Sequence, residues 1–154
     1  VALDEVAVAY LAADRVLIKW PNDLIAGRDK LAGILLERSG DAVVIGFGVN
    51  LAHHPDLPDR PAISFAALGV DAPAPDLFLR DLADSFARWL GRWRGEGLAP
   101  VRQRWLDRAH ALGTPLSSQG IQGLFEGLDE SGALRLRLAD GSLHVMHAGD
   151  VFIL

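Results

Sequence analysis

The sequence predicts an α+β chain in two parts: residues 1–112, helices with a sheet of hairpin strands, and residues 113–154, a small β-barrel. Three observations carry that expectation. In the first 50 positions, apolar residues switch from helical spacing to strand alternation, with turns between the alternating runs. Residues 77–111 return to helical spacing, with Phe78, Leu82, Phe86, Leu90 and Trp93 down one stripe. Beyond Gly113, short strands and turns follow one another at nearly regular intervals, as in a small barrel.

Taken in order, Leu3, Val6, Ala7, Tyr10 and Leu11 give Val1–Ala13 the period of a helix. Arg15–Trp20 reads as a strand, Val16, Ile18 and Trp20 on one face and Leu17 and Lys19 on the other. Pro21-Asn22-Asp23 breaks it, because Pro lacks a donor and Asn and Asp favour turns. Leu24-Ile25, a turn at 26–29 and Leu31–Arg38 make a hairpin. Ala42–Leu51 is a third strand, able to pair with a partner if it lies at an edge. One of its faces is bulky (Val43, Ile45, Phe47, Val49, Leu51). The other is nearly bare (Val44, Gly46, Gly48, Asn50). A Pro- and Asp-rich loop runs from His53 to Pro61. Ser64 is placed to cap a short helical turn ended by Gly69, and Asp76 to cap a helix over 77–93. Gly95-Glu96-Gly97 ends that helix, and Pro100 opens another that runs to Ala111.

Composition narrows the function. The chain has 154 residues, is 50% hydrophobic and carries a formal net charge of −5. It therefore has material for a core, and it lacks the clustered basic surface that nucleic acid requires. It has no cysteine, which excludes disulfide and thiolate chemistry and suits a cytoplasmic protein. No apolar run is long enough to span a membrane, so no membrane role is expected. Val1 opens the chain inside an expected helix and without methionine, and the chain is expected to be the later part of a longer polypeptide. His53 and His54 read as surface residues, Trp89, Trp93 and Trp105 as core anchors, and Arg102, Arg104 and Arg108 as a solvated face.

The chemistry concentrates between residues 19 and 50. Of the 15 basic residues only Lys19 and Lys30 are lysines, and the only asparagines are Asn22 and Asn50. Lysine is a compact, strongly hydrated point charge, unlike the planar arginine fork. Two such ammonium groups suit phosphate or carboxylate oxygens, and an Asp beside them suits Mg2+. Glycines on one strand face either let a ligand lie flat or accommodate close packing or a bulge. Gly46-x-Gly48 is no dinucleotide fingerprint, since it lacks the third glycine and the following helix. On spacing alone, an anion site and an ordinary hairpin turn remain equally open.

Lys19-Trp20-Pro21-Asn22-Asp23, Lys30-Leu31-Ala32-Gly33-Ile34-Leu35-Leu36-Glu37 and Gly46-Phe47-Gly48-Val49-Asn50 together resemble the bacterial biotin protein ligases. The resemblance continues through Glu96–Pro100, Arg104-Trp105 and Gly149-Asp150-Val151. It implies a partial biotin/lipoyl-ligase-like catalytic domain with a largely antiparallel sheet, followed by an SH3-like barrel. It also implies an activity with biotin and ATP as substrates: formation of biotinyl-5′-AMP, then transfer of biotin to a lysine of a biotin carboxyl carrier protein. By position, Lys30 would be the catalytic lysine between the biotin carboxylate and the α-phosphate. Lys19 would be a phosphate-side cation, Asn22 a neighbour of the phosphates, and Asp23 the Mg2+ contact. Gly33 and Leu35 would line the biotin pocket, Gly46 and Gly48 would form its floor, and Asn50 would lie on the adenylate side. Family members also carry an upstream Gly/Arg-rich loop that closes over the adenylate, and Ser/Thr and Gln positions for the ureido ring. Neither is among these residues, nor is the DNA-binding winged helix of some members. The expectation is a chain weakly active or inactive by itself, with a homodimer possible. The alternatives are an inactive remnant acting as an interaction module, and a lipoate ligase relative.

Overall fold

The computed structural model describes residues 1–56, 58 and 61–154; Leu57, Asp59 and Arg60 of the Pro- and Asp-rich loop lie outside it. The order is α1 (Ala2–Tyr10), a 3-10 turn (Ala13–Arg15), β1 (Leu17–Lys19), β2 (Asp23–Ala26), β3 (Asp29–Ser39), β4 (Ala42–Val49), α2 (Pro75–Glu96), α3 (Ala99–Leu106), β5 (Pro115–Ser118), β6 (Ile121–Leu128), β7 (Leu134–Arg137), β8 (Leu143–Met146) and β9 (Phe152–Ile153).

Strands β1 to β4 pair in sequence order as an antiparallel sheet. Two-residue turns join β2 to β3 and β3 to β4, with Gly27 and Gly40 at φ 62° and 60°, a conformation open to glycine and costly for most other residues. Two neighbouring rows cross all four strands. Ile18, Leu24, Ala32 and Val49 are opposite one another, and so are Lys19, Asp23, Gly33 and Gly48. Side chains alternate along a strand, so the rows face opposite ways. The first row packs with Leu3, Val6 and Leu11 of the N-terminal segment, Phe65, and Phe78 and Leu82 of α2. The second is left on the uncovered face.

A bulge interrupts the β2–β3 pairing. Leu24 is opposite Ala32, but Ile25 is opposite Lys30, so Leu31 is the extra residue. Leu31 and Ala32 are both buried, at 0% and 2% exposure. Strict alternation would put Lys30 and Gly33 on opposite faces. The bulge returns Lys30 to the Gly33 side.

The second sheet has the order β8-β7-β6-β5-β9 and encloses Leu116, Phe125, Leu134, Leu136, Met146 and Val151. Among the described residues no pairing joins β8 to β9. The expected small SH3-like unit is a five-stranded antiparallel sheet wrapped around this core. Trp20, at the end of β1, packs into this second core, and its indole N–H donates to Gly132 O at 3.2 Å. Trp105 packs against both cores, its ring edge-on to Phe125.

Several local expectations change. Helix α2 starts at Pro75, with Ala74 as N-cap and no side-chain cap. Pro supplies the first-turn dihedral unaided, so Asp76 sits inside the first turn. The residues that α2 buries are Phe78, Leu82 and Ser85, all in its first half, and Trp93 is 53% exposed. Ser64 does accept from the Ala67 N–H, but residues 65–69 form turns and no helix. Helix α3 ends at Leu106, five residues early, because the chain leaves it to let Arg108 O accept the Ile18 N–H at 2.8 Å.

The largest correction concerns the arginines after α2. Asp4 of α1 is fully buried and receives Arg104 Nη2 at 3.1 Å and Arg108 Nε at 3.1 Å. Arg108 also donates to Ala13 O and Val16 O, and Arg102 donates to Leu128 O. These side chains fasten α1, β1, α3 and the second sheet together instead of decorating a solvated face. A buried charge that loses its counter-charge costs about 3–5 kcal/mol. Asp4→Ala is therefore expected to lower the unfolding free energy by about 3 kcal/mol, since Arg104 retains some access to water. Urea denaturation checks this.

Candidate functional site

The uncovered row sets the geometry of the site. Lys19 and Asp23 are direct cross-strand partners on β1 and β2, so their side chains share a face at close range. Lys19 Nζ lies 3.4 Å from Asp23 Oδ2, and Lys30 Nζ lies 2.6 Å from Asp23 Oδ1. Asp23 Oδ1 is buried and meets Lys30 as an ion pair, off the angle of a directed hydrogen bond. Gly33 makes room for this pair. A Cβ there would sit 2.7 Å from both Cε and Nζ of Lys30 and 3.1 Å from Asp23 Oδ1. Gly46 and Gly48 continue the floor onto β4. A Cβ at either would meet only ordinary contacts at 3.8–3.9 Å, so the space above them is open.

Lys30 is also fixed through its backbone. Its N–H donates to Pro61 O, and its carbonyl accepts from the Ile63 N–H. The Asn50 amide Nδ2 donates to both Lys30 O and Ile63 O at 3.1 Å. Asn22 Nδ2 donates to Ile34 O at 2.6 Å. Both asparagines thus donate to the backbone, and among the described residues the side-chain oxygen of each has no hydrogen-bond donor.

Two clefts meet at Lys30. One, of about 830 Å³, runs along the glycine floor past Asn22, Gly33, Leu35, Gly46, Gly48 and Asn50. The other, of about 330 Å³, lies between the two sheets and is bordered by Lys19, Asp23, Arg28, Asp150 and Phe152. Both fall in the range of small-molecule sites. Every residue singled out in the sequence borders one of them, and Lys30 borders both. Phe152, Asp150 and Arg28 went unrecognised. The Phe152 ring is 59% exposed, with its centroid 5.8 Å from Lys19 Nζ. Phe152 and Asp150 belong to the other sheet, and nothing local in the sequence ties them to Lys19.

The donor set does not fit a protein-held Mg2+. Both oxygens of Asp23 already face ammonium groups, and a cation there would have to displace them. Among the described residues no cluster of three His, Cys, Asp or Glu side chains could complete a site. His54 turns its Nδ1 to Ser64 Oγ at 3.1 Å.

The family model "Biotin/lipoate A/B protein ligase family" matches residues 5–50, and "Biotin protein ligase C terminal domain" matches residues 116–154. The biotin–[acetyl-CoA-carboxylase] ligase of Paracoccus denitrificans is 42% identical over 97% of this chain and 68% of its own length. The bifunctional ligase/repressor BirA of Escherichia coli is 33% identical over 92% of this chain, which spans 47% of that relative. In fold, the Aquifex aeolicus biotin protein ligase solved with biotin and ATP superposes with a TM-score of 0.86 at 18% identity, over 99% of this chain and 68% of that one. The chain belongs to the biotin protein ligase family.

His110 borders the junction of α3 and the second sheet, and its Nε2 is buried with no hydrogen-bond partner among the described residues. Burial first, and the Lys19 ammonium second, hold its imidazole below the ordinary value of 6.5. The folded state therefore binds this proton less readily than the unfolded state does. The contribution to stability is intact above the unfolded value and lost as pH falls below it. His110→Gln is expected to flatten the decline of the urea midpoint between about pH 6.5 and pH 5.

Proposed function

We propose that this protein is an ATP-dependent biotin protein ligase in which Lys30 is the catalytic charge. One observation carries the reading: Lys30 sits where an open glycine-floored cleft meets a second, charged cleft. In the first step a biotin carboxylate oxygen attacks the α-phosphorus of ATP. An O–P bond forms, the bond to the β-phosphate bridge breaks, and pyrophosphate leaves with the electron pair. Two anions must meet for that bond to form. The Lys30 ammonium lowers their repulsion and stabilises the charge that builds up at the phosphorus. Lys19 supplies a second positive charge on the phosphate side. In the second step a neutral lysine amine of a biotin carboxyl carrier protein attacks the acyl carbon: a C–N bond forms, the acyl C–O bond breaks, AMP leaves with the electron pair, and the amine gives up one proton to solvent.

The floor suits the flat, largely apolar body of biotin. Gly33 and Leu35 border its pocket, and Gly46 and Gly48 carry no side chain to obstruct it. Asn50 reaches the nucleotide side with its free carbonyl oxygen, and Asn22 the phosphates with its own. A glycine floor also accepts the lipoyl ring, and the model matched at residues 5–50 describes both ligase types. Biotin and lipoate compared head to head, with ATP and both carrier domains, separate the two readings. Biotin is the first expectation, supported by the biotin ligase activity for which the Paracoccus denitrificans relative is named.

Lys30→Ala is expected to reduce biotinyl-adenylate formation about 100- to 1,000-fold, as loss of one transition-state donor does. Pyrophosphate release coupled to biotin incorporation measures it, and near-wild-type turnover would remove Lys30 from the role. Gly33→Ala makes a sharper separation. Its Cβ displaces the flexible end of Lys30 and crowds Asp23 Oδ1 by a few tenths of an ångström, so stability is expected to fall by no more than about 1 kcal/mol. Adenylate formation is expected to fall on the order of 100-fold, because the ammonium is moved.

A further inference from the structure

We propose that Asp23 acts as the positioning counter-ion of the two lysines and not as a metal ligand, holding Lys30 over Gly33 and releasing it to the incoming anion. This rests on the ligase reading above. Three features carry it. Asp23 is only 12% exposed, and its two oxygens face two different ammonium groups, Lys30 at 2.6 Å and Lys19 at 3.4 Å. It occupies the one position in the row that is cross-strand neighbour to both Lys19 and Gly33. The Lys30 side chain is long and 48% exposed, so packing alone does not hold its end. Asp23 is what holds the ammonium above the floor, at the junction of the two clefts.

The arrangement is a resting pair. A carboxylate and phosphate arriving together offer Lys30 more negative charge than Asp23 does, and they draw the ammonium a short way from Oδ1. Lys19 remains beside Oδ2, so Asp23 does not lose all its counter-charge when Lys30 shifts. The carboxylate therefore aims Lys30 before substrates arrive and competes with them for it.

That competition sets an unusual sign for the test. Asp23→Asn removes an anion from a site that binds anions, so ground-state binding should not weaken, while the aim of Lys30 is lost. Two measurements on the full protein decide it. The first is calorimetry with a non-hydrolysable sulfamoyl analogue of biotinyl-adenylate, in buffer stripped of divalent cations. The second is the kcat and KM for ATP in adenylate formation. The expected result for Asp23→Asn is analogue binding as tight as wild type or tighter, KM for ATP no higher, and kcat lower by on the order of 100-fold. In the Lys30→Ala background, Asp23→Asn should change the residual kcat less than about twofold, because a residue acting through another loses its effect when that residue is gone. Asp23→Glu, which keeps the charge one methylene further out, should recover part of the kcat. The proposal fails if Asp23→Asn weakens metal-free binding tenfold, raises KM for magnesium-ATP with kcat unchanged, or keeps its full effect without Lys30. If wild-type protein does not bind the analogue, the ligase reading fails first.

Discussion

One extra residue in β3 decides where the positive charge of this protein sits. Leu31 bulges out of the pairing with β2 and turns into the core, and the strand on either side of it resumes its alternation. Lys30 and Gly33 consequently share a face, and a lysine side chain can lie across a residue that has none. Without the bulge Lys30 would point toward the helices, where an ammonium group has no water and no counter-charge, a cost of several kcal/mol. Asp23, Gly33 and the glycines of β4 have a common function only because Lys30 arrives beside them.

The sheet that presents this row is anchored from behind and from one end. Helices α1 and α2 cover the apolar row, and the Asp4–Arg104–Arg108 cluster fastens the first helix to the segment that leaves α3. At the β1 end, Ile18 pairs its backbone with Arg108, and Trp20 enters the second sheet's core. Lys19 lies between these two attachments, one residue from each. The second sheet is therefore mechanically continuous with the charged turn, and its last strand and the loop before it bring Phe152 and Asp150 to the same cleft. A large aromatic buried in a neighbouring unit is a stiff connection, because interiors are packed as densely as organic crystals.

The strands of the first sheet and the presence of two later helices were legible from apolar periodicity and from Gly, Pro, Asn and Asp at the turns, but the helix ends were not: α2 runs to Glu96 and α3 stops at Leu106. The candidate site was legible from scarcity: two lysines and two asparagines in one stretch of a chain that otherwise uses arginine. Misreadings arose where a local rule met a distant partner. Arg104 and Arg108 follow a solvated pattern in their own stretch of chain, yet the aspartate that recruits them lies about a hundred residues earlier. Trp93 continues the apolar stripe of α2, but the helix outruns the surface it packs on.

The sequence by itself determined which residues could do chemistry here, because residue type sets charge, donor count and backbone freedom. It also determined the alternation that separates a core face from an open one. Only the tertiary structure decided which of those residues act together. A bulge is a mismatch between two strands and has no signature in either alone, so the side taken by Lys30 depended on how β2 and β3 paired. Asp23 looked like a metal ligand as long as its neighbours were unknown. The structure turns two ammonium groups to its two oxygens, and the lysines that carry them come from two other strands.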